Sequence, residues 1–177
     1  MSGFFCTFIE NLRIMKNLFI IPLLFIFFLG NAQETDCRYI TNEIDEFNNT
    51  KVVKTDYYDL NKYTSKKDII FISLRNINKR KSVVITLTRD LGCSVSFKGK
   101  RSSVKIKLEN DVVVTFYHSG NTDCGDFTVI GSLTKNDIAK LKDSPIKVIR
   151  FTGTDYYHDS KDIVWKTFFQ EKLDCIK

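Results

Sequence analysis

The most constraining feature of this chain is a strict alternation of apolar and polar side chains through its middle. The clearest case is Val104, Lys105, Ile106, Lys107 and Leu108. Successive side chains of a β-strand point to opposite faces, so this pattern predicts a strand with one buried and one solvated face. The same period recurs in three further segments, at residues 70–74, 83–88 and 112–116.

Compact turn signals separate these segments. They are rich in Asn, Asp, Gly and Lys and fall at residues 78–81, 90–92, 98–100 and 110–111. Short connections force antiparallel neighbours, so residues 68–118 are expected to form a meander of five strands. A roll or a sandwich is the alternative arrangement of these strands.

An earlier hairpin is predicted from residues 42–47 and 51–59, which flank a turn at residues 48–50. The alternative is a helix, because Ile40, Ile44 and Phe47 also match a helical stripe.

Helix signals appear only toward the end of the chain. Thr134 and Asp137 form a capping-box pair, Leu133 and Ile138 occupy the positions of a hydrophobic staple, and Pro145 closes the segment. A strand is expected at residues 146–151. A final helix, capped by Ser160, would follow with its apolar side chains on one face, at Trp165, Phe168, Phe169 and Ile176. The prediction is an α+β fold, mainly antiparallel sheet, with a helix–strand–helix tail packed on one face.

Residues 15–32 have the features of a secretory signal peptide. Lys16 precedes an apolar run at residues 17–29, which is shorter than the roughly 20 residues that cross a bilayer. The small residues Gly30 and Ala32 predict cleavage after Ala32. We therefore interpret residues 1–14 as an over-long start or a non-functional extension. Residues 33–177 would be a single domain, periplasmic or extracellular and not integrated in a membrane.

The cysteines agree with export. Cys6 is removed with the leader, which leaves four cysteines, and an even number in an oxidising compartment predicts two disulfides. The spacing lacks the close pairs of a zinc site, so neither a metal nor a cofactor is expected. Three connectivities are possible. If the strands alternate in direction, parity favours Cys37–Cys93 and Cys124–Cys175, whereas a crossover in residues 61–67 would allow other pairings.

The chain is modestly basic, with a formal net charge of +6 at pH 7. The basic clusters coincide with expected turns, at residues 66–67, 79–81 and 98–101. Solvated turn charges that protect strand edges explain them best. Nucleic acid is therefore not an expected partner, although an anionic glycan or lipid headgroup stays open.

A short segment near the predicted mature N-terminus carries a family resemblance. The Asn-Glu-Ile-Asp-Glu-Phe run at residues 42–47, followed by Val-Val-Lys-Thr at residues 52–55, resembles a stretch found in small exported bacterial proteins of unknown function. The segment Ile-Lys-Val-Ile-Arg at residues 146–150 and the closing Cys175 are similar to that group as well. The resemblance implies export and the fold, but no activity.

One polar loop has residues suited to catalysis. Residues 118–126 contain a possible base, His118, the hydroxyl of Ser119, and the carboxylates of Asp123 and Asp126. Adjacent His118 and Ser119 are poorly placed to act on each other, and no nucleophile-elbow motif is present. Asn121 and the two aspartates also lack the order of an EF-hand loop. A turn-rich loop is the favoured interpretation, with a small secreted hydrolase as the alternative.

Two Thr-Asp-Tyr-Tyr segments supply the candidates for binding. Tyr57 lies in the first, and the second continues into His158, giving Tyr57, Tyr156, Tyr157 and His158 as candidate contacts. Alternation along a strand predicts one buried and one exposed tyrosine in each pair. The leading functional hypothesis is an exported, non-enzymatic module that binds a protein or a component of the cell envelope, with an inhibitor-like protein as a special case.

Overall fold

The fold was determined as a computed structural model, and it is described for residues 36–61, 68–97 and 99–177. The expected leader at residues 15–32, and residues 1–14, lie outside the described residues. None of the helices in the described ranges has the length and apolar character to span a membrane.

Ten strands are found in the described ranges. In chain order they are β1 Tyr39–Asp45, β2 Thr50–Thr55, β3 Tyr58–Asp59, β4 Ile70–Ile77, β5 Arg80–Leu87, β6 Ser103–Leu108, β7 Val113–Tyr117, β8 Phe127–Ser132, β9 Ile146–Thr152 and β10 Tyr157–Ser160. The helical elements are α1 Lys135–Asp143, α2 Phe168–Lys172 and a 3₁₀ turn at Leu173–Ile176.

The strands form two antiparallel sheets. The first has the order β1-β2-β4-β5-β8, with the short β3 also paired to β4. The second has the order β10-β9-β6-β7. The predicted α+β class with a predominantly antiparallel sheet is confirmed, and so is the first hairpin, which is β1–β2 rather than a helix.

The predicted five-strand meander is wrong in its connectivity. Strands β4 and β5 belong to the first sheet, whereas β6 and β7 belong to the second. The expected strand after Cys93 contributes only an isolated bridge between Ser94 and Asp123. The segment between β5 and β6 therefore carries the chain from one sheet to the other.

Both sheets contribute to one hydrophobic core. The inward side chains of the first sheet include Ile72 and Ile85, and those of the second include Ile106 and Ile149, all fully buried. Phe127 of β8 meets Phe151 of β9 edge to face, with ring centroids 6.3 Å apart.

The capping box of α1 is confirmed. The N–H of Asp137 donates to the hydroxyl of Thr134, and the N–H of Thr134 donates to the carboxylate of Asp137. Ser160, however, is the last residue of β10 and caps no helix. The final helix begins at Phe168 instead, after an irregular segment in which Trp165 packs against Tyr58 and Phe168.

The disulfides differ from the predicted pairing. Cys37 is bonded to Cys175, and Cys93 is bonded to Cys124. Parity does not predict the pairing, because the strands are divided between two sheets and do not form one continuous meander. Instead, the crossing between sheets brings Cys93 beside the loop that contains Cys124.

Candidate functional site

Two adjoining depressions lie beside the exposed ring of Tyr57, which follows β2. Their volumes are about 400 and 520 Å³, and Tyr57 and Phe71 line both of them. Because the two depressions share these lining residues, we refer to the pair as the Tyr57 groove. Tyr57 is 41% exposed. Its hydroxyl oxygen is 3.5 Å from Nη2 of Arg75, which donates to it.

One end of the Tyr57 groove is largely apolar. Besides Tyr57 and Phe71, its lining residues are Arg38, Asp59, Leu60, Val164 and Trp165. The ring of Trp165 is held in place by its edge contact with buried Tyr58 and by an Nε1–H donated to Glu171 Oε2 at 3.0 Å. Fixed aromatic and aliphatic surface of this kind binds apolar side chains at little entropic cost.

The other end of the groove has a similar share of apolar lining and differs in carrying two aspartates, which make it the acidic end. Phe71, Thr86 and Thr128 are direct cross-strand neighbours on β4, β5 and β8, and the two threonine hydroxyls are 3.0 Å apart. Asp123 and Asp126 complete this end. No described Lys or Arg nitrogen lies within 4.0 Å of either carboxylate, so this end presents net negative charge in a basic protein.

The loop that carries the two aspartates is held by covalent and backbone contacts. The Cys93–Cys124 disulfide joins it to the segment after β5. The N–H of Ser94 donates to the carbonyl of Asp123 at 2.7 Å, and the N–H of Asp123 donates to the carbonyl of Ser94 at 3.0 Å. This loop is therefore fixed at the acidic end of the groove, which lowers the entropic cost of binding a ligand there.

His118, the candidate base of the same loop, is buried and has both ring nitrogens occupied. The N–H of Ile130 donates to Nδ1 at 3.3 Å, which leaves Nε2 to carry the proton and donate it to the carbonyl of Asn121 at 2.9 Å. The Ser119 hydroxyl donates to the carbonyl of Ile130 at 2.8 Å. Both ring nitrogens of His118 are therefore engaged within the protein, and the bonds of His118 and Ser119 to Ile130 fasten the loop to β8.

The predicted tyrosine pairs behave differently from each other. Tyr58 is buried and Tyr57 exposed, as alternation predicts, but Tyr156 and Tyr157 are both exposed. Tyr157 lies on β10, where the guanidinium of Arg150 sits 5.2 Å from the centre of its ring. Of the three candidate tyrosines, only Tyr57 lines the groove.

His158 lines a smaller depression of about 160 Å³ beside Asp68 and Asp159. Burial lowers the pKa of His158 below its usual 6.5, and the positive charge of Arg89 lowers it further, while Asp68 and Asp159 act in the opposite direction. Hydrogen bonds from Arg150 lower the pKa of Asp159. These carboxylates are engaged by arginines, with Asp68 bonded by Arg89 at 2.7 and 2.6 Å.

Over the described part of the chain, no group of three or more His, Cys, Asp or Glu side chains is arranged to hold a metal ion. The four cysteines of the predicted domain are consumed by the two disulfides.

No protein-family model matches this chain, and no curated protein or solved structure is significantly similar to it.

The local sequence around several residues of the groove gives no indication that they belong to a binding site. Phe71 has the pattern of an ordinary strand residue, and Leu60, Val164 and Trp165 lie in irregular segments. The β4–β5–β8 pairing brings Phe71 to the loop of Asp123 and Asp126, whereas backbone bonds from Val164 and Trp165 to Leu60 bring the last segment to β3.

Proposed function

We propose that this chain is an exported, non-enzymatic binding module that holds an extended segment of a partner protein in the Tyr57 groove. The observation that carries the proposal is the position of Tyr57. Its partly exposed ring lines both the apolar and the acidic depression. A ligand that reaches both depressions must pass this ring.

The apolar end favours an aliphatic or aromatic anchor side chain. Tyrosine, tryptophan and arginine are the residues most enriched among the hot spots of protein interfaces. Tyr57, Trp165 and Arg38 all line this end of the groove. A depression of about 400 Å³ is large enough to admit one such anchor.

The acidic end favours a cationic side chain on the same segment. Asp123 and Asp126 are exposed and form no ion pair with a described lysine or arginine, so a lysine or arginine of the partner would gain complementary charge there. The proposed ligand is therefore an extended peptide in which an apolar residue is followed or preceded by a basic one.

Export is supported by the leader-like run at residues 17–29 and by the two disulfides that join four cysteines. The resemblance of residues 42–47 to small exported bacterial proteins supports the same proposal. A partner in the periplasm, at the cell surface or in the medium fits this compartment.

The test is selection of linear peptides from a random display library, followed by measurement of affinity by fluorescence anisotropy. We expect enrichment of sequences that combine an apolar and a basic residue. Tyr57→Ala should weaken the best selected peptide at least about tenfold, as expected for loss of a central aromatic anchor. Asp126→Asn should weaken it several-fold and reduce the dependence of binding on salt.

Tyr156→Ala is the matched control, because it removes an exposed tyrosine that does not line the groove. Its affinity should equal that of the wild type, and all variants should keep the wild-type melting temperature within a few degrees. Failure to select any peptide, or equal affinities for Tyr57→Ala and Tyr156→Ala, would overturn the proposal.

A further inference from the structure

The outer face of the second sheet carries like charges at its centre. Val104 and Ile106 of β6 are fully buried in the shared core, so Lys105 between them points away from the core. Lys105 pairs with Arg150 of β9, which places two positive side chains directly opposite each other. Like charges in this position destabilise a sheet. An anionic ligand that contacts both side chains would relieve this repulsion.

The carboxylates near this face leave it with positive charge in excess. Asp159 of β10 accepts two hydrogen bonds from Arg150, each of 2.6 Å, and so balances one cation. Asp111 is shared between Lys107 and Lys147, with 3.0 Å to each ammonium nitrogen. One carboxylate therefore serves two lysines.

Lys105 and Arg101 add further positive charge without an ion pair. Among the described residues, no carboxylate oxygen lies within 4.0 Å of either cation. Both side chains are exposed. Arg101, just before β6, donates its Nε–H to the carbonyl of His118 at 2.9 Å, which holds the guanidinium beside Tyr117. An acidic ligand is therefore complementary to this face.

An arginine–tyrosine pair lies at each edge of the same sheet. The guanidinium of Arg101 is 5.5 Å from the ring centre of Tyr117 on β7, and that of Arg150 is 5.2 Å from the ring centre of Tyr157 on β10. The two tyrosines are 51% and 68% exposed. The strand register places them on one row across the sheet, from β10 through β9 and β6 to β7, so they are roughly 14 Å apart.

A depression of about 210 Å³ lies on this face, next to the row of the tyrosines. Its lining combines cations, one engaged carboxylate and two valines: Lys105, Lys107, Arg150, Asp159, Val113 and Val148. A sugar ring with an anionic substituent has matching chemistry, because its C–H groups pack on aliphatic surface while its charged group meets the cations.

We propose that the outer face of the second sheet binds an anionic polysaccharide, one that carries carboxylate or sulfate groups. Its sugar rings stack on Tyr117 and Tyr157, and its anionic groups meet Lys105 and the two arginines. The separation of the tyrosines requires a chain of several sugar units. None of these residues lines the Tyr57 groove, so this site is separate from the one proposed for a peptide.

The side chains of this face favour a polysaccharide over a membrane surface. Protein surfaces that insert into the bilayer interface present tryptophan, phenylalanine and leucine. The leucine and phenylalanines of these four strands, Leu108, Phe116 and Phe151, are all buried. The apolar surface that points outward is limited to two valines and two tyrosines, and the tyrosines lie beside arginines.

The first experiment measures binding of two fluorescently labelled probes by anisotropy, a heparin oligosaccharide with sulfate groups and an oligogalacturonate with carboxylates. We expect saturable binding of at least one probe, weakened by salt. Lys105→Gln should reduce that affinity at least about fivefold, because it removes the central cation. Lys51→Gln is the matched control, since it makes the same change at an exposed position on β2 of the first sheet, and it should leave the affinity within about twofold. No saturable binding of either probe, or equal losses in the two variants, would overturn the proposal.

The second experiment tests the contribution of the rings. Tyr117→Ala should weaken binding of the same probe several-fold, whereas Phe47→Ala, which removes an exposed ring between β1 and β2, should not change it. Single-stranded DNA of equal charge and vesicles of phosphatidylglycerol should bind at least about tenfold more weakly than the sugar probe. Equal affinity for DNA or for vesicles would overturn the assignment to a polysaccharide, and so would equal effects of Tyr117→Ala and Phe47→Ala.

Discussion

Cys37, just before β1, is covalently joined to Cys175 in the last turn of the chain, so the first strand and the C-terminal segment form one unit. Two hydrogen bonds reinforce this attachment. The Tyr39 hydroxyl donates to the carbonyl of Cys175 at 3.1 Å, and the Asn76 amide donates to the carbonyl of Ile176 at 3.0 Å. The tail is thus fixed to both β1 and β4.

Removal of the Cys37–Cys175 bond should destabilise the protein more than removal of Cys93–Cys124. The two bonds span sequence separations of 138 and 31 residues. The chain-entropy model gives about 5 kcal/mol for the longer loop and about 4 kcal/mol for the shorter. Urea unfolding of two double variants measures the difference, one with Cys37→Ser and Cys175→Ser and the other with Cys93→Ser and Cys124→Ser. A larger loss for the Cys93 and Cys124 pair would contradict this order.

Phe168→Ala should lower the free energy of unfolding by about 3–5 kcal/mol, because the ring is fully buried in contact with Tyr58, Trp165 and Phe169. The matched control is Phe97→Ala, which removes the same side chain from an exposed position and should change stability by less than about 0.5 kcal/mol. Chemical denaturation of both variants decides the matter. Similar losses at the two positions would show that the tail is not packed as described.

Gly153→Ala should destabilise the protein by about 1–3 kcal/mol. A Cβ at Gly153 would lie 2.1 Å from the carbonyl oxygen of Leu91, which is backbone and has no rotamer to change. At Gly125 the nearest atom to such a Cβ is a carboxylate oxygen of Asp123 at 3.4 Å, an ordinary contact. Gly125→Ala is therefore the control. Equal melting temperatures for the two variants would contradict the close approach at Gly153.

Local patterns predicted most of the strands and helix α1, because their signals lie within a few residues. Alternation located β4 to β7, and the Thr134–Asp137 pair located the start of α1. The β10 strand was missed because four residues, Tyr157–Ser160, are too few for a clear period and include the serine that resembled a helix cap.

The assignment of strands to sheets was not predictable in the same way. The described residues between β5 and β6, 88–97 and 99–102, contain no regular strand, and nothing in the composition of this segment distinguishes a turn within one sheet from a crossing between two. The predicted disulfide pairing assumed a turn within one sheet, and it was wrong because the chain crosses between two sheets. The lining of the groove depends on it as well, since the segment that crosses between the sheets brings Ser94 into a bridge with Asp123.

Stability should fall as the pH drops below about 6.5 because of His158. Its pKa in the folded protein is lowered, mainly by burial and then by Arg89, so the unfolded chain takes up a proton at a pH where the folded chain resists it. The contribution of neutral His158 to stability is therefore complete above 6.5, the pKa of histidine in the unfolded chain, and it is lost as the pH falls through the lower pKa of the folded protein. Asp159 and Asp174 also have lowered pKa values, but their usual value of 3.8 places their loss of stability at lower pH. Urea midpoints measured at intervals between pH 5 and pH 7.5 should decline for the wild type and stay nearly flat for His158→Gln. A decline of equal slope in both proteins would assign the effect to other groups.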